Sequence, residues 1–279
     1  MTSPSYKPSK FGAGLRMPHL QHALSSSSRT SEIWELLADN WYNCSAADLA
    51  IMCKIREHSP VTVHSVGLSL GSNERPEAAY VESLRRLVEM VEPDFVSDHA
   101  SFSRANGAFI PDLLPLPFNE EAAHVLARNI MLVQDTLKRT ICLENVSRYV
   151  DFKASDMTEW EFLNLVTKKS GCELLVDINN LYVNERNTGA NAAEFLKNIG
   201  RQVVAQFHVS GHFDKGAFCI DDHGQSVCEE VWKLVAMSFE CVGPRTTIVE
   251  WDQDLPTFDV LMSEVQQVRS IASDFGGVK

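Results

Sequence analysis

Imidazoles and carboxylates recur along this chain at the ends of short apolar runs. His64 follows Val61-Thr62-Val63, Asp98-His99 follows Phe95-Val96, Glu144-Asn145 follows the run over 140–143, and Asp177 with Asn179 and Asn180 follows Leu174-Leu175-Val176. His208 with His212 and Glu250 with Asp252 end two later runs, while Arg16 and the pair Glu35 and Asn40 accompany the first two. The densest group, Asp221-Asp222-His223, lies a few residues beyond His212. Carboxylates and imidazoles are donors for borderline divalent metals, and several carboxylates brought together without cations would repel one another. Bound metal ions would relieve that repulsion. Cysteine is absent from these positions, which argues against a soft thiolate site and for iron, manganese or zinc.

Spacing adds to the case. Asp177-x-x-Asn180 is expected to place two oxygen donors on the loop leaving the sixth strand. Asp221-x-His223 is expected to put an oxygen and a nitrogen on one side of an extended segment. A bland reading exists for each residue taken alone: His64 as a satisfied interior histidine, or His99 and Glu144 as one buried ion pair. That reading must be repeated at strand after strand, always at the same end, and weakens accordingly. It holds for His19, His22, His58 and His124, which fall on or beside helical segments, and for Asp48, Asp151 and Asp156 as solvated turn or helix-start residues. Asp112, within Ile110–Pro115, is read as a brace in a loop over the site.

The elements that must position these residues alternate regularly. Eight strand-length apolar runs (11–15, 33–37, 61–70, 95–96, 140–143, 174–176, 203–209 and 246–249) are separated by amphipathic segments of helical period over 46–58, 76–91, 119–138, 158–169, 192–199, 227–239 and 255–271. Thr158 with Glu161 reads as a capping box, and Ser170-Gly171 as a left-handed helix stop. The run Ser25–Ser28 is read as a loop or frayed helix end. Strand and helix alternate throughout, so the expected fold class is α/β, a single (β/α)8 TIM barrel over residues 11–279 behind a disordered segment at 1–10. In such a barrel all strand ends open on one face, which would gather residues distant in sequence into one pocket.

The 279 residues, 44% of them hydrophobic, can supply such a core. The net charge of −12, without a basic run, disfavours nucleic acid as a partner. No apolar stretch reaches the ~18 residues of a membrane span, and residues 1–10 lack a signal-peptide core. The seven scattered cysteines, with no C-x-x-C pair, suit reduced thiols. A cytoplasmic protein is expected.

The order His64, His99, Glu144, Asp177, Asn180, His208, Asp221, His223, Glu250 resembles the trinuclear site of the xylose-isomerase-like barrels, with Asn180 where the endonuclease IV branch has a histidine. More specifically, the chain resembles the DUF692 family, also called UPF0276. The resemblance is carried by Gly12-Ala13-Gly14-Leu15-Arg16, His64-Ser65-Val66-Gly67-Leu68-Ser69-Leu70-Gly71, Ser97-Asp98-His99, Asp112–Pro117, Leu143-Glu144-Asn145, Asp177–Asn184 and His208-Val209-Ser210-Gly211-His212. It departs at Glu250-Trp251-Asp252, where many members have Glu-Arg-Asp.

The resemblance implies a barrel holding two or three iron ions that uses dioxygen to rework a cysteine in a ribosomally made precursor peptide, as in oxazolone and thioamide formation, β-carbon excision or thiooxazole formation. It implies one iron on His64, His99 and Glu144, a second on Glu144, Asp177, His208 and Glu250, and a third on Asn180, Asp221 and His223. Asp252 is then expected to transfer a proton, His212 to ligate or meet substrate, and Arg16 and Asn145 to contact substrate. A small leader-binding partner is implied as well. The rival readings are a divalent-metal hydrolase or isomerase of the same barrel type and a non-catalytic metal-binding or leader-binding scaffold.

Overall fold

The alternating runs close on themselves. The computed structural model describes residues 9–26 and 32–276. Its strands are β1 (Phe11–Gly14), β2 (Ile33–Leu37), β3 (Val61–His64), β4 (Val96–His99), β5 (Phe102–Ala105), β6 (Ala108–Leu114), β7 (Cys142–Glu144), β8 (Glu173–Asp177), β9 (Val204–Val209), β10 (Phe213–Asp214), β11 (Cys219–Ile220) and β12 (Thr246–Val249). The helices are α1 (Leu20–Ser26), α2 (Ala46–His58), α3 (Ala78–Val91), α4 (Glu120–Leu137), α5 (Glu159–Ser170), α6 (Ile178–Thr188), α7 (Ala192–Asn198), α8 (Glu229–Cys241) and α9 (Phe258–Ser273). Strands β1, β2, β3, β4, β7, β8, β9 and β12 form a closed parallel barrel in chain order, and β12 returns to pair with β1 through Phe11↔Thr247 and Ala13↔Val249.

Strands β3, β4 and β12 are buried along their whole length, because one face fills the barrel and the other meets the helices. Trp34, Phe162, Phe207 and Phe239 are the bulkiest fully buried side chains of this core. The helix signals operate as read: Thr158 and Glu161 form a reciprocal capping box, and Gly171 ends α5 at φ 72°.

Three departures from the sequence reading shape the site. The apolar run over 61–70 is a strand only as far as His64. Beyond it, Asp98 accepts hydrogen bonds from Ser65 Oγ (2.7 Å) and the Leu68 N–H (3.1 Å), and Ser69 turns at φ 51°. The loop expected to carry Asn180 out of the sixth strand is instead the start of α6. Three of its four asparagines, 179, 180 and 184, look like turn formers, but they are buried and bond neighbouring segments. The two hairpins β5–β6 and β10–β11 also extend beyond the barrel, and Asp112 lies in exposed β6, where its Oδ1 accepts the N–H of the adjacent Leu113 (2.8 Å).

Residues 1–8 of the expected disordered start, and Ser27 and Ser28, lie outside the described residues. Ser9 Oγ donates to the Pro244 carbonyl (2.9 Å) and Lys10 pairs with Asp94, so the barrel's contacts begin before residue 11. Among the described residues no helix is long and apolar enough to cross a membrane.

Candidate metal centre

Barrel register brings the strand-end residues level. His99 pairs with Glu144 across β4 and β7, and Asp177 with His208 across β8 and β9. His64 Nε2 and His99 Nε2 each lie 3.4 Å from Glu144 Oε2. On the other side, His208 Nδ1 lies 3.4 Å from Glu144 Oε1 and 3.0 Å from Glu250 Oε2. Two groups therefore form: His64, His99 and Glu144, then Glu144, Asp177, His208 and Glu250. In each, the possible ligand atoms lie within 4.8 Å of one another. Glu144 belongs to both, turning one oxygen to each.

The donors fit a cation. Glu144 Oε2, Asp177 Oδ2, Asn180 Oδ1 and His208 Nδ1 are buried without a directed hydrogen-bond partner, a condition that is costly for polar atoms unless something else satisfies them. Their neighbours hold them in place. His64 Nδ1 meets Ser97 Oγ at 2.8 Å, and Asp177 Oδ1 accepts the Asn180 N–H (2.6 Å), capping α6 while leaving Oδ2 for the cluster.

Electrostatics express the same crowding. Burial disfavours the charged form of His208, but Glu250, Glu35 and Glu144 outweigh it and hold the imidazole well above its ordinary value. Burial likewise opposes the charge on His99, and Glu144 and Asp98 overcome it, raising it to about 9. Asp177 is pushed up to about 8 by desolvation and by the charges of Glu144 and Asp221. Cations in this cluster would reverse each tendency, favouring ionised carboxylates and neutral imidazoles.

A second, outer group sits on loops. His223 Nε2 lies 2.8 Å from Asp221 Oδ1, and its Nδ1 lies 3.1 Å from Asp252 Oδ2 and 3.5 Å from Glu250 Oε2. The expected extended segment is instead a turn: His223 has φ 50°, and its carbonyl accepts the Asp252 N–H (2.8 Å). Asn180 lies in the first turn of α6 rather than on a loop, and lines the same cavity as Asp221 and His223. Asp252 is held by Arg16 through Nε (3.1 Å) and Nη2. Desolvation would raise its carboxyl, but the His223 hydrogen bond and Arg16 prevail and lower it to about 2. A cavity of about 220 Å³ joins the two groups, lined by His64, His99, Glu144, Asn180, Asp221, His223, Glu250 and Asp252, with Val66 and Leu113 at its apolar wall.

The remaining expected residues stand elsewhere. Arg16 is buried and engaged by Asp252, so it braces a carboxylate rather than offering itself to substrate. Asn145 uses both ends of its amide on the Asp177 backbone, donating to its carbonyl (3.1 Å) and accepting its N–H (2.9 Å), which locks β7 to β8. His212 does not line the cavity. Its Nδ1 meets Asn179 Oδ1 (2.8 Å), and Asn179 Nδ2 donates to Asp221 (2.9 Å), so it supports the outer group at one remove. Trp251 is buried against the core. The sequence reading gives no task to Asn179, hidden in an asparagine-rich segment, and misses the placement of Glu35 against His208 at 2.9 Å.

The fold is a closed (β/α)8 barrel, xylose-isomerase-like in shape, and a buried cluster of histidines and carboxylates stands at its strand ends. Solved structures of that shape include D-psicose 3-epimerase from Clostridium cellulolyticum H10 (9% identity, TM-score 0.63, covering 96% of this chain and 99% of that one). Endonuclease IV from Thermus thermophilus is another (13%, TM-score 0.57, covering 96% and 100%). At these identities the likeness concerns the fold. Residues 10–273 match the family described as RiPP precursor modification enzyme MbnB/TglH/ChrH, and the chain belongs to that family. A UPF0276 protein of Vibrio parahaemolyticus is 40% identical over 266 residues, covering 94% of this chain and 92% of the relative, and one of Chromobacterium violaceum is 36% identical over 264 residues, covering 95% of each.

Proposed function

We propose that the protein is a multinuclear non-haem iron enzyme that uses dioxygen to modify a cysteine residue of a ribosomally made precursor peptide. The observation that carries this reading is the sharing of Glu144 between two buried groups of nitrogen and oxygen donors with no cysteine among them. Bound iron would supply an open position for the substrate sulfur and the electrons that dioxygen takes up. His64, His99 and Glu144 would hold one ion, Glu144, Asp177, His208 and Glu250 a second, and Asn180, Asp221 and His223 a third.

The chain's own groups then have distinct tasks. Asp252, ionised and clamped by Arg16, would accept a proton at Oδ2 beside the cavity. The apolar wall of Val66 and Leu113 would limit water. Phe109 and Ile110 on β6, and Tyr149 and Val150 after β7, are exposed apolar groups on loops of the strand-end face, which suits an extended peptide better than a small sugar. Such a peptide, delivered by a small leader-binding partner, is the substrate class we infer, and the cytoplasm the compartment.

Anaerobic purification followed by metal analysis tests this. The expected result is iron, with dioxygen uptake when a cysteine-containing peptide is added. Zinc alone, with no uptake after Fe(II) is supplied, would overturn it, and turnover with zinc or manganese under nitrogen would point instead to a hydrolase or isomerase.

A further inference from the structure

We propose that Glu35 is the positioning residue for His208, fixing the ring so that Nδ1 and not Nε2 faces the metals. The inference rests on the reading of the cluster as a metal centre and assigns a role to a residue outside the proposed ligand set.

Glu35 lies in β2 and is 1% exposed. Its Oε2 accepts hydrogen bonds from Thr62 Oγ1 (2.7 Å) and Gln206 Nε2 (2.8 Å), so donors from β3 and β9 fix the carboxylate from two sides. Its Oε1 lies 2.9 Å from His208 Nε2, on the side of the ring away from Glu144 and Glu250. An anionic oxygen at that distance from a ring nitrogen is favourable only if the nitrogen carries a hydrogen. The second hydrogen of the Gln206 amide, 3.2 Å from the same nitrogen, competes with a neutral dipole against a charge and loses. With Nε2 protonated, the lone pair of the neutral ring is at Nδ1, the atom 3.0 Å from Glu250.

The other inner histidines are supported differently. The far nitrogen of His64 meets the neutral hydroxyl of Ser97 at 2.8 Å. The far nitrogen of His99 stands 3.8 Å from Asp98 Oδ1, an oxygen that already accepts the His99 N–H (2.6 Å). Both therefore point Nε2 at Glu144, whereas His208 presents the opposite edge. A carboxylate behind a ligating imidazole sets its tautomer and raises its donor strength, and loss of such a partner weakens metal binding by roughly 10–100-fold.

The test is an anaerobic titration with Co(II) against a competing chromophoric chelator, alongside thermal unfolding in excess chelator. Glu35→Gln is expected to weaken one bound equivalent by about 10–100-fold and any others by less than about threefold, with unfolding near that of the wild type. Equal weakening of all equivalents would mark Glu35 as merely structural and overturn the proposal, as would wild-type binding. If Glu35→Gln does not fold, Thr62→Val, which keeps the carboxylate and removes one anchor, is read instead: a few-fold loss confined to one equivalent supports the proposal, and wild-type binding overturns it. Glu144→Gln in the same titration separates the two levels. Wild-type binding there would sink the metal-centre reading itself, whereas loss there beside wild-type binding in Glu35→Gln removes only the role of Glu35.

Discussion

His208 and His223 both stand beside Glu250, yet the barrel fixes one and a turn fixes the other. His208 is fully buried, paired in register with Asp177, and backed by Glu35. His223 keeps 13% of its side chain exposed and depends on a left-handed residue, an Asp221 contact and a carboxylate that is itself 40% exposed. Atoms set by strand register are located by the whole sheet, so they can define a rigid core of the centre. Those set by a turn can shift with whatever occupies the cavity. The inner group is thus suited to hold ions permanently, and the outer one to respond to substrate.

That contrast can be broken most severely at Glu144. Replacing it with Gln removes the charge shared by both inner groups, and activity should fall by ~10³-fold or more, the several kcal/mol a bound metal supplies, with metal content collapsing in elemental analysis. Retained inner metal would contradict the division between a permanent core and a responsive rim. Asp252→Asn comes next: it keeps an acceptor for Arg16 but abolishes proton acceptance, and should lower kcat by about 10²-fold while leaving metal content unchanged. If metal is lost instead, Asp252 belongs to the ligand set.

His223→Ala should cost roughly tenfold in activity, the lower end of the usual loss when a metal's surroundings are altered, and release the outer ion alone. Its release together with the inner ions would show that the groups do not act separately. The smallest effect concerns the loop after His223, anchored where Glu264 accepts the buried Val227 N–H (2.9 Å). Burial pushes the Glu264 carboxyl up to about 7, so between its unfolded value and about 7 the folded state binds more protons and stability falls as pH rises. Glu264→Gln should flatten that slope: stability equal to wild type at pH ~4, and greater by roughly 1–2 kcal/mol at pH ~8 after allowance for solvent screening. Denaturant midpoints at the two pH values check the sign, and an unchanged slope would discard the assignment.

Much of the inner group is legible in the sequence because strand periodicity and position agree: a polar residue that ends an apolar run must sit at the barrel's open face. His64, His99, Glu144, Asp177 and Glu250 all follow from that rule. The outer group is legible in composition but not in geometry, since a left-handed turn at His223 leaves no mark in residue type. Helix α6 is hidden because asparagine usually favours turns, whereas here residues 179, 180 and 184 spend their amides on tertiary partners and Asp177 caps the helix. Arg16 and Asn145 look like substrate contacts because strand-end position cannot distinguish a side chain facing the cavity from one consumed by a neighbour. Glu35 reads as a strand-end residue but sits in the middle of β2, and its task is invisible in the sequence, as its partners Thr62 and Gln206 come from other strands, Gln206 far away in sequence.

The pairing of β1 with β12 has a consequence for the order of events during synthesis. Arg16 is synthesised 236 residues ahead of its partner Asp252, so the clamp on the proposed proton acceptor forms only when β12 is laid beside β1. Glu250 arrives on the same strand. A nascent chain therefore carries most of the inner donors well before it has a complete pocket, and the cluster is assembled only when the barrel shuts.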